Sequence, residues 1–161
     1  MARQLAQINL ARLRTPIDGP EMSDFVAALD NINTLAERSA GFVWRLIGDG
    51  ADATDVRAEG LDDVLVNMSV WTDIEPLRHF VYKTAHAAVM ARRARWFPDF
   101  GGVYTVLWWV EEGCRPTLAE AMLKIEALGR DGPTAAAFTF DQPFSADGEA
   151  LTLPRIIKDC A

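Results

Sequence analysis

The octet Val64-Leu65-Val66-Asn67-Met68-Ser69-Val70-Trp71 limits the fold more than any other stretch of the chain. Strand side chains alternate between faces, so Val64, Val66, Met68 and Val70 share one side and Leu65, Asn67, Ser69 and Trp71 the other. Bulky apolar groups on both sides predict a strand that must be covered twice. Val103 to Val110, with Tyr104, Leu107, Trp108 and Trp109, has the same character. The 161 residues, half of them hydrophobic, are enough for one domain with a substantial core.

Two further strands are predicted. Leu5 to Leu13 alternates, with Ala6, Ile8 and Leu10 opposite Leu5, Gln7, Asn9 and Ala11, and Phe42 to Ile47 is a short apolar run after Gly41. Helical spacing links them: from Glu21 to Arg38, Met22, Phe25, Leu29, Ile32 and Ala36 recur every three or four residues behind Pro20. A second helix is expected from about Glu75 to Phe97, bent near Lys83 or Thr84, with Thr72 and Glu75 as a capping box. A third follows Pro116, with Leu118, Met122, Ile125 and Leu128 as its stripe and Gly129 as its C-terminal cap. Gly48 to Asp63 is expected to be a solvated loop. Residues 1–140 then form the domain, and 141–161 an extended C-terminal tail.

The order β-α-β-β-α-β is the ferredoxin-like arrangement, a four-stranded antiparallel sheet with helices on one face, here with an added C-terminal helix and tail. A sheet covered on one side leaves its other face open, and here that face is apolar. A second copy of the chain, packing sheet on sheet, is the expected cover.

Candidate chemistry falls on few residues. The two histidines are His79 and His86, and on a continuous helix His79, Tyr82, His86 and Arg93 share a face that could offer an imidazole and a phenol to a ligand lying against the sheet. A histidine bonded within the core is the other reading of His86. One metal held by both histidines is not expected, since seven residues span roughly 10 Å at about 1.5 Å per residue. Asn9 and Asn67 interrupt apolar strands, where asparagine is depleted, and could bond a ligand oxygen; Gln7 shares the face of Asn9. Trp44, Trp71, Trp96, Trp108 and Trp109 could line a flat pocket for an aromatic ring system, or simply build core and interface. Arg92, Arg93 and Arg95 could hold a carboxylate, or end a helix in solvent.

Charge excludes other classes. Sixteen Lys and Arg against 23 Asp and Glu leave a net −7, which argues against nucleic acid or an anionic membrane as main partner. The first residues lack a signal-peptide pattern, and the two cysteines, Cys114 and Cys160, lie apart from any metal-ligand spacing, so a reduced cytoplasmic protein is expected. There is no phosphate loop, nucleophile elbow or dinucleotide fingerprint.

Several blocks carry a resemblance: Gly41-Phe42-Val43-Trp44-Arg45-Leu46, Leu65-Val66-Asn67-Met68-Ser69-Val70-Trp71, Phe80-Val81-Tyr82-Lys83-Thr84-Ala85-His86, Trp96-Phe97 and Leu107-Trp108-Trp109. Together, over about residues 3 to 140, they resemble a bacterial family of unknown function within the dimeric α/β-barrel superfamily. That resemblance implies ferredoxin-like subunits pairing as homodimers. More distantly, the chain is similar to antibiotic-biosynthesis monooxygenases, which oxidise aromatic compounds without metal or flavin, and to heme-degrading monooxygenases. The implied function is a cofactor-independent monooxygenase for a hydrophobic aromatic compound, with His86 and Asn9 catalytic and Trp44, Asn67, Trp71, Tyr82, Arg93 and Trp108 binding substrate. The alternatives are a heme-binding protein with His86 as ligand, and a non-catalytic ligand-binding protein. The tryptophan that heme-degrading enzymes carry before that histidine is here His79 or Phe80.

Overall fold

The computed structural model describes residues 2–155. Its strands are β1 (Arg3–Arg12), β2 (Phe42–Arg45), β3 (Val64–Trp71) and β4 (Thr105–Glu111), and its helices α1 (Ser23–Arg38), α2 (Ile74–Lys83), α3 (Ala85–Ala91) and α4 (Leu118–Asp131). All pairings are antiparallel, in the order β2-β3-β1-β4. With α1 linking β1 to β2, and α2 and α3 linking β3 to β4, this is the ferredoxin-like α+β fold. Among the described residues, no helix is long and apolar enough to cross a membrane.

Register sorts the strand residues into two faces. Leu5 stands between Trp71 and Trp109, Gln7 between Ser69 and Leu107, and Asn9 between Asn67 and Thr105. This is the face toward α1, α2 and α3. The other face carries Ala6, Ile8, Leu10, Val64, Val66, Met68, Val70, Val106, Trp108 and Val110, all buried.

That second face corrects an expectation. It is covered within the chain, by Ala121, Met122, Ile125 and Leu128 of α4, and by Trp44, Leu46, Leu61, Phe100 and Val103. The amphipathic stripe of α4 and the apolar sheet face cover one another, and Ile8 and Val70 are fully buried in the single chain. An uncovered apolar face, the reason for expecting a second copy, is therefore absent from the described structure.

Local differences have local causes. The expected long second helix is broken at Thr84, whose extended backbone (φ −114°, ψ −176°) ends α2 and starts α3. Thr84 Oγ1 accepts the His86 N–H at 3.3 Å and donates to the Phe80 carbonyl, so one hydroxyl serves both helix ends. A 3-10 turn, Arg93–Arg95, replaces the last expected turns, and another, Pro20–Met22, precedes α1. Asp73, rather than the Thr72 box, caps α2. Thr117, next after Pro116, caps α4 by accepting the Glu120 N–H at 3.1 Å, but α4 ends at Gly132 (φ 70°) and not at Gly129. Gly41 is required where α1 turns into β2: its φ is 82°, and a Cβ there would lie 2.4 Å from Pro76 Cβ.

The segment after α4 packs back on the helix side. Phe138 is fully buried and bridges Leu107 beside β4, Phe144 accepts the Trp109 indole N–H at 2.9 Å, and the Pro154 carbonyl accepts from Arg78. The expected tail, 141–161, is thus partly seated on the domain; residues 156–161 lie outside those described.

Candidate active site

A cavity of about 270 Å³ lies between the helices and the first sheet face. Its floor is polar, which is costly inside a sheet sandwich. Gln7 Nε2 donates to Asn67 Oδ1 at 2.8 Å and to Ser69 Oγ at 2.9 Å, and Trp71 Nε1 donates to the same Ser69 Oγ at 2.8 Å. The serine oxygen therefore has both lone pairs engaged, and its own O–H has no acceptor among the described residues. Asn9 Oδ1 is buried with no hydrogen-bond partner. Thr105 Oγ1 is absorbed by the Ile8 carbonyl at 3.1 Å.

The roof carries one more unpaired polar group. Asn33 of α1 lines the cavity, is 8% exposed, and has no hydrogen bond to any described residue. An unpaired buried amide costs about 1–3 kcal/mol. That cost falls on Asn9 Oδ1, whereas the Asn33 carboxamide opens onto the cavity.

The break at Thr84 positions His86. Val81 is among the last four residues of α2, whose carbonyls lack intrahelical partners, and its carbonyl lies 3.2 Å from His86 Nδ1. A carbonyl only accepts, so Nδ1 carries the proton and the neutral ring keeps its lone pair on Nε2. The ring packs against Phe80 at 4.9 Å, and burial holds its pKa below the usual 6.5, with the Val81 hydrogen bond opposing that shift. His86 is thus a neutral imidazole at pH 7, lining the cavity with Nε2 free of protein partners among the described residues.

Apolar walls complete the site. Trp71 stacks on Phe80 at 5.2 Å, and Tyr82 meets Phe140 of the C-terminal segment edge-on at 5.7 Å. Burial pushes the Tyr82 phenol pKa up. Two arginines reach the rim. Arg45 is tied to Glu37 at 2.8 Å and to the Ala51 carbonyl at 2.9 Å, whereas Arg93 lies over the Tyr104 ring at 4.9 Å with no carboxylate partner among the described residues.

Of the residues singled out in the sequence, the fold brings Asn9, Asn67, Trp71, Tyr82, His86 and Arg93 to this one cavity. Trp44 and Trp108 are placed elsewhere. A register shift between Phe42 and Trp44 sets Trp44 opposite Val70, on the α4 side, while Arg45, opposite Ser69, takes the cavity side. Trp108 lies on the α4 side by strand parity, its indole donating to Glu120 at 3.1 Å. His79 is exposed, because Ile74, Leu77, Arg78 and Phe80 carry the buried side of α2. Ser69 and Asn33 were missed. Asn33 had a legible signal: it falls four residues after Leu29 and three before Ala36, a polar gap in the apolar stripe of α1. Among the described residues, no group of three or more His, Cys, Asp or Glu could hold a metal ion.

Residues 4–153 match the model of a family described as "Domain of unknown function (DUF3291)". No curated protein sequence matches the chain. Solved structures that resemble it include SnoaB, a cofactor-independent oxygenase from Streptomyces nogalater (18% identity, covering 74% of this chain and 100% of that one, TM-score 0.46). Others are a monooxygenase from the gene ActVA-Orf6 of Streptomyces coelicolor, in complex with nanaomycin D (13%, 73% and 91%, TM-score 0.40), and a conserved protein from Methanosarcina mazei Go1 (9%, 68% and 93%, TM-score 0.47).

Proposed function

The chain belongs to the DUF3291 family, and from its cavity we propose that it is a cofactor-independent oxygenase acting on a compact, hydroxylated aromatic compound. The observation that carries this reading is His86: a neutral ring with Nδ1 anchored on Val81 and Nε2 open, beside a floor with unused hydrogen-bonding capacity. Nε2 takes the proton of a ring hydroxyl, and the Asn9 carboxamide, which lines the same cavity, orients the ligand by a hydrogen bond. The resulting aryl oxide is electron-rich enough to reduce dioxygen itself. A phenol with an open para carbon plus O2 gives a quinone plus water, so the substrate supplies all the electrons. The stacked Trp71 and Phe80 form one apolar wall for the ring system, and Tyr82 and Arg93 close the rim.

Oxygen uptake measured with hydroxylated naphthalenes and anthrones tests this. The wild type consumes dioxygen in step with substrate, and His86→Ala lowers kcat by about a hundredfold or more, the usual weight of a general base. Its melting temperature moves little. No uptake above buffer by the wild type, or an unchanged rate in the variant, overturns the reading; binding without turnover converts it to a ligand-binding protein.

The same Nε2 bears on heme. Its anchored Nδ1–H is what an axial histidine requires. The volume does not fit: about 270 Å³ is below the roughly 300–1,000 Å³ of ligand pockets and suits two or three fused rings better than a tetrapyrrole. Hemin titration should therefore leave the Soret band the same in wild type and His86→Ala; a saturable shift lost in the variant would reinstate heme.

A further inference from the structure

We propose that Asn33 is a second polar anchor for the ligand, so that the cavity selects fused-ring compounds oxygenated at two separated positions. This deepens, and rests on, the reading of the cavity as an aromatic-ligand site. Asparagine is a poor residue for a helix interior, since its side chain competes for backbone hydrogen bonds. Yet it stands midway along α1, within the stripe formed by Phe25, Leu29, Ile32 and Ala36. It is more than nine-tenths buried and lines the cavity, and no described group satisfies its carboxamide. Structural asparagines bond something; this one bonds no described residue and lines the cavity a ligand would fill.

The pairing with Asn9 gives the ligand its class. Asn9, on the sheet wall, lines the cavity with a carboxamide that no described residue bonds, and it takes a ligand hydroxyl or carbonyl there. Asn33, on the helix wall, offers both donors and an acceptor and takes a hydroxyl or a carbonyl. A ligand spanning the two walls therefore carries one oxygen toward each, with its rings against the apolar wall that the stacked Trp71 and Phe80 build. Asn33 then sets which arenes bind, while the proton transfer stays with His86.

Calorimetric titration of wild type and Asn33→Leu with naphthalene-1,5-diol and with 1-naphthol tests this, alongside thermal denaturation of the unliganded proteins. Asn33→Leu should weaken the diol by about tenfold or more, as expected of a site built to bond a ligand hydroxyl. The mono-ol should stay within about twofold, because Asn9 still holds its single oxygen. The melting temperature should be unchanged or higher, since no described residue bonds the amide that the leucine replaces. Unchanged diol affinity, equal weakening of both compounds, or a lower melting temperature overturns the proposal. Where the leucine does not fit, Asn33→Ala carries the same affinity comparison. If the wild type binds neither compound, the aromatic-ligand reading itself falls, and this inference with it; loss confined to the Asn33 variants' discrimination leaves that reading standing.

Discussion

The two faces of one sheet differ in kind. On the α4 side, Ile8, Leu10, Val66, Met68, Val70 and Val106 form an unbroken apolar layer. On the helix side the same strands present Gln7, Asn9, Asn67, Ser69 and Thr105 between the apolar ends made by Leu5 and Trp71 and by Ala11 and Leu65. Neighbours along β1 thus have opposite duties: Ile8 is fully buried and held by packing, whereas Asn9 leaves an oxygen unbonded. A layer that only packs maximises contact. One that tolerates unpaired polar atoms is shaped for something outside the chain.

The largest effect that would break this contrast comes from Ile8→Asn. Losing a fully buried side chain and burying an unpaired amide should cost about 4 kcal/mol or more, most of a domain's margin, by urea denaturation. The adjacent Asn9→Leu should do the reverse, leaving stability unchanged or raising it by about 1 kcal/mol while abolishing ligand affinity. A loss of stability comparable to that of Ile8→Asn would erase the distinction between the faces. Trp108→Phe removes the indole bond to Glu120 and part of a fully buried ring, and should cost about 2 kcal/mol without touching ligand binding, because it lies behind the sheet. At the helix start that frames the cavity, Asp73→Ala should cost about 1 kcal/mol and Thr72→Ala close to nothing, since only Asp73 caps α2.

The smallest and sharpest effect is one of pH. His86 titrates lower in the folded chain than its ordinary 6.5, so below that value the unfolded chain binds more protons. Its contribution to stability is therefore complete above about pH 6.5 and is lost as the pH falls through the lower, folded value. His86→Gln should flatten that part of the stability profile, and the oxygen-uptake rate of the wild type should rise with pH to a plateau reached at or below neutrality.

What was legible in the sequence was what neighbouring residues decide. β3 runs from Val64 to Trp71 as alternation and bulk required, and the cavity face of β1 is the one holding Gln7 and Asn9. The failures belong to choices made at a distance or by a single hydroxyl. A bend near Lys83 or Thr84 was legible, but not that the backbone becomes extended there, because Tyr82 and His86 keep helical spacing whether or not the backbone between them is helical. The cover for the α4 side was sought in a second copy although an unassigned amphipathic helix was already in the chain; pairing stripe with face is a tertiary decision. Trp44 was misplaced by a register shift that alternation cannot reveal, whereas Trp108 could have been assigned by parity with Val106 and Val110.

The central place of β1 also has a consequence in time. Gln7 waits for Asn67, 60 positions later, and Ile8 for Thr105, 97 positions later, before both its edges are paired. At the roughly 5–20 residues per second of synthesis, the second of those gaps lasts on the order of 5–20 s. During it, a strand of alternating Ile, Leu and amide groups stands with an open edge. A central strand of the sheet is thus the first to be synthesised and keeps an unpaired edge until β4 arrives.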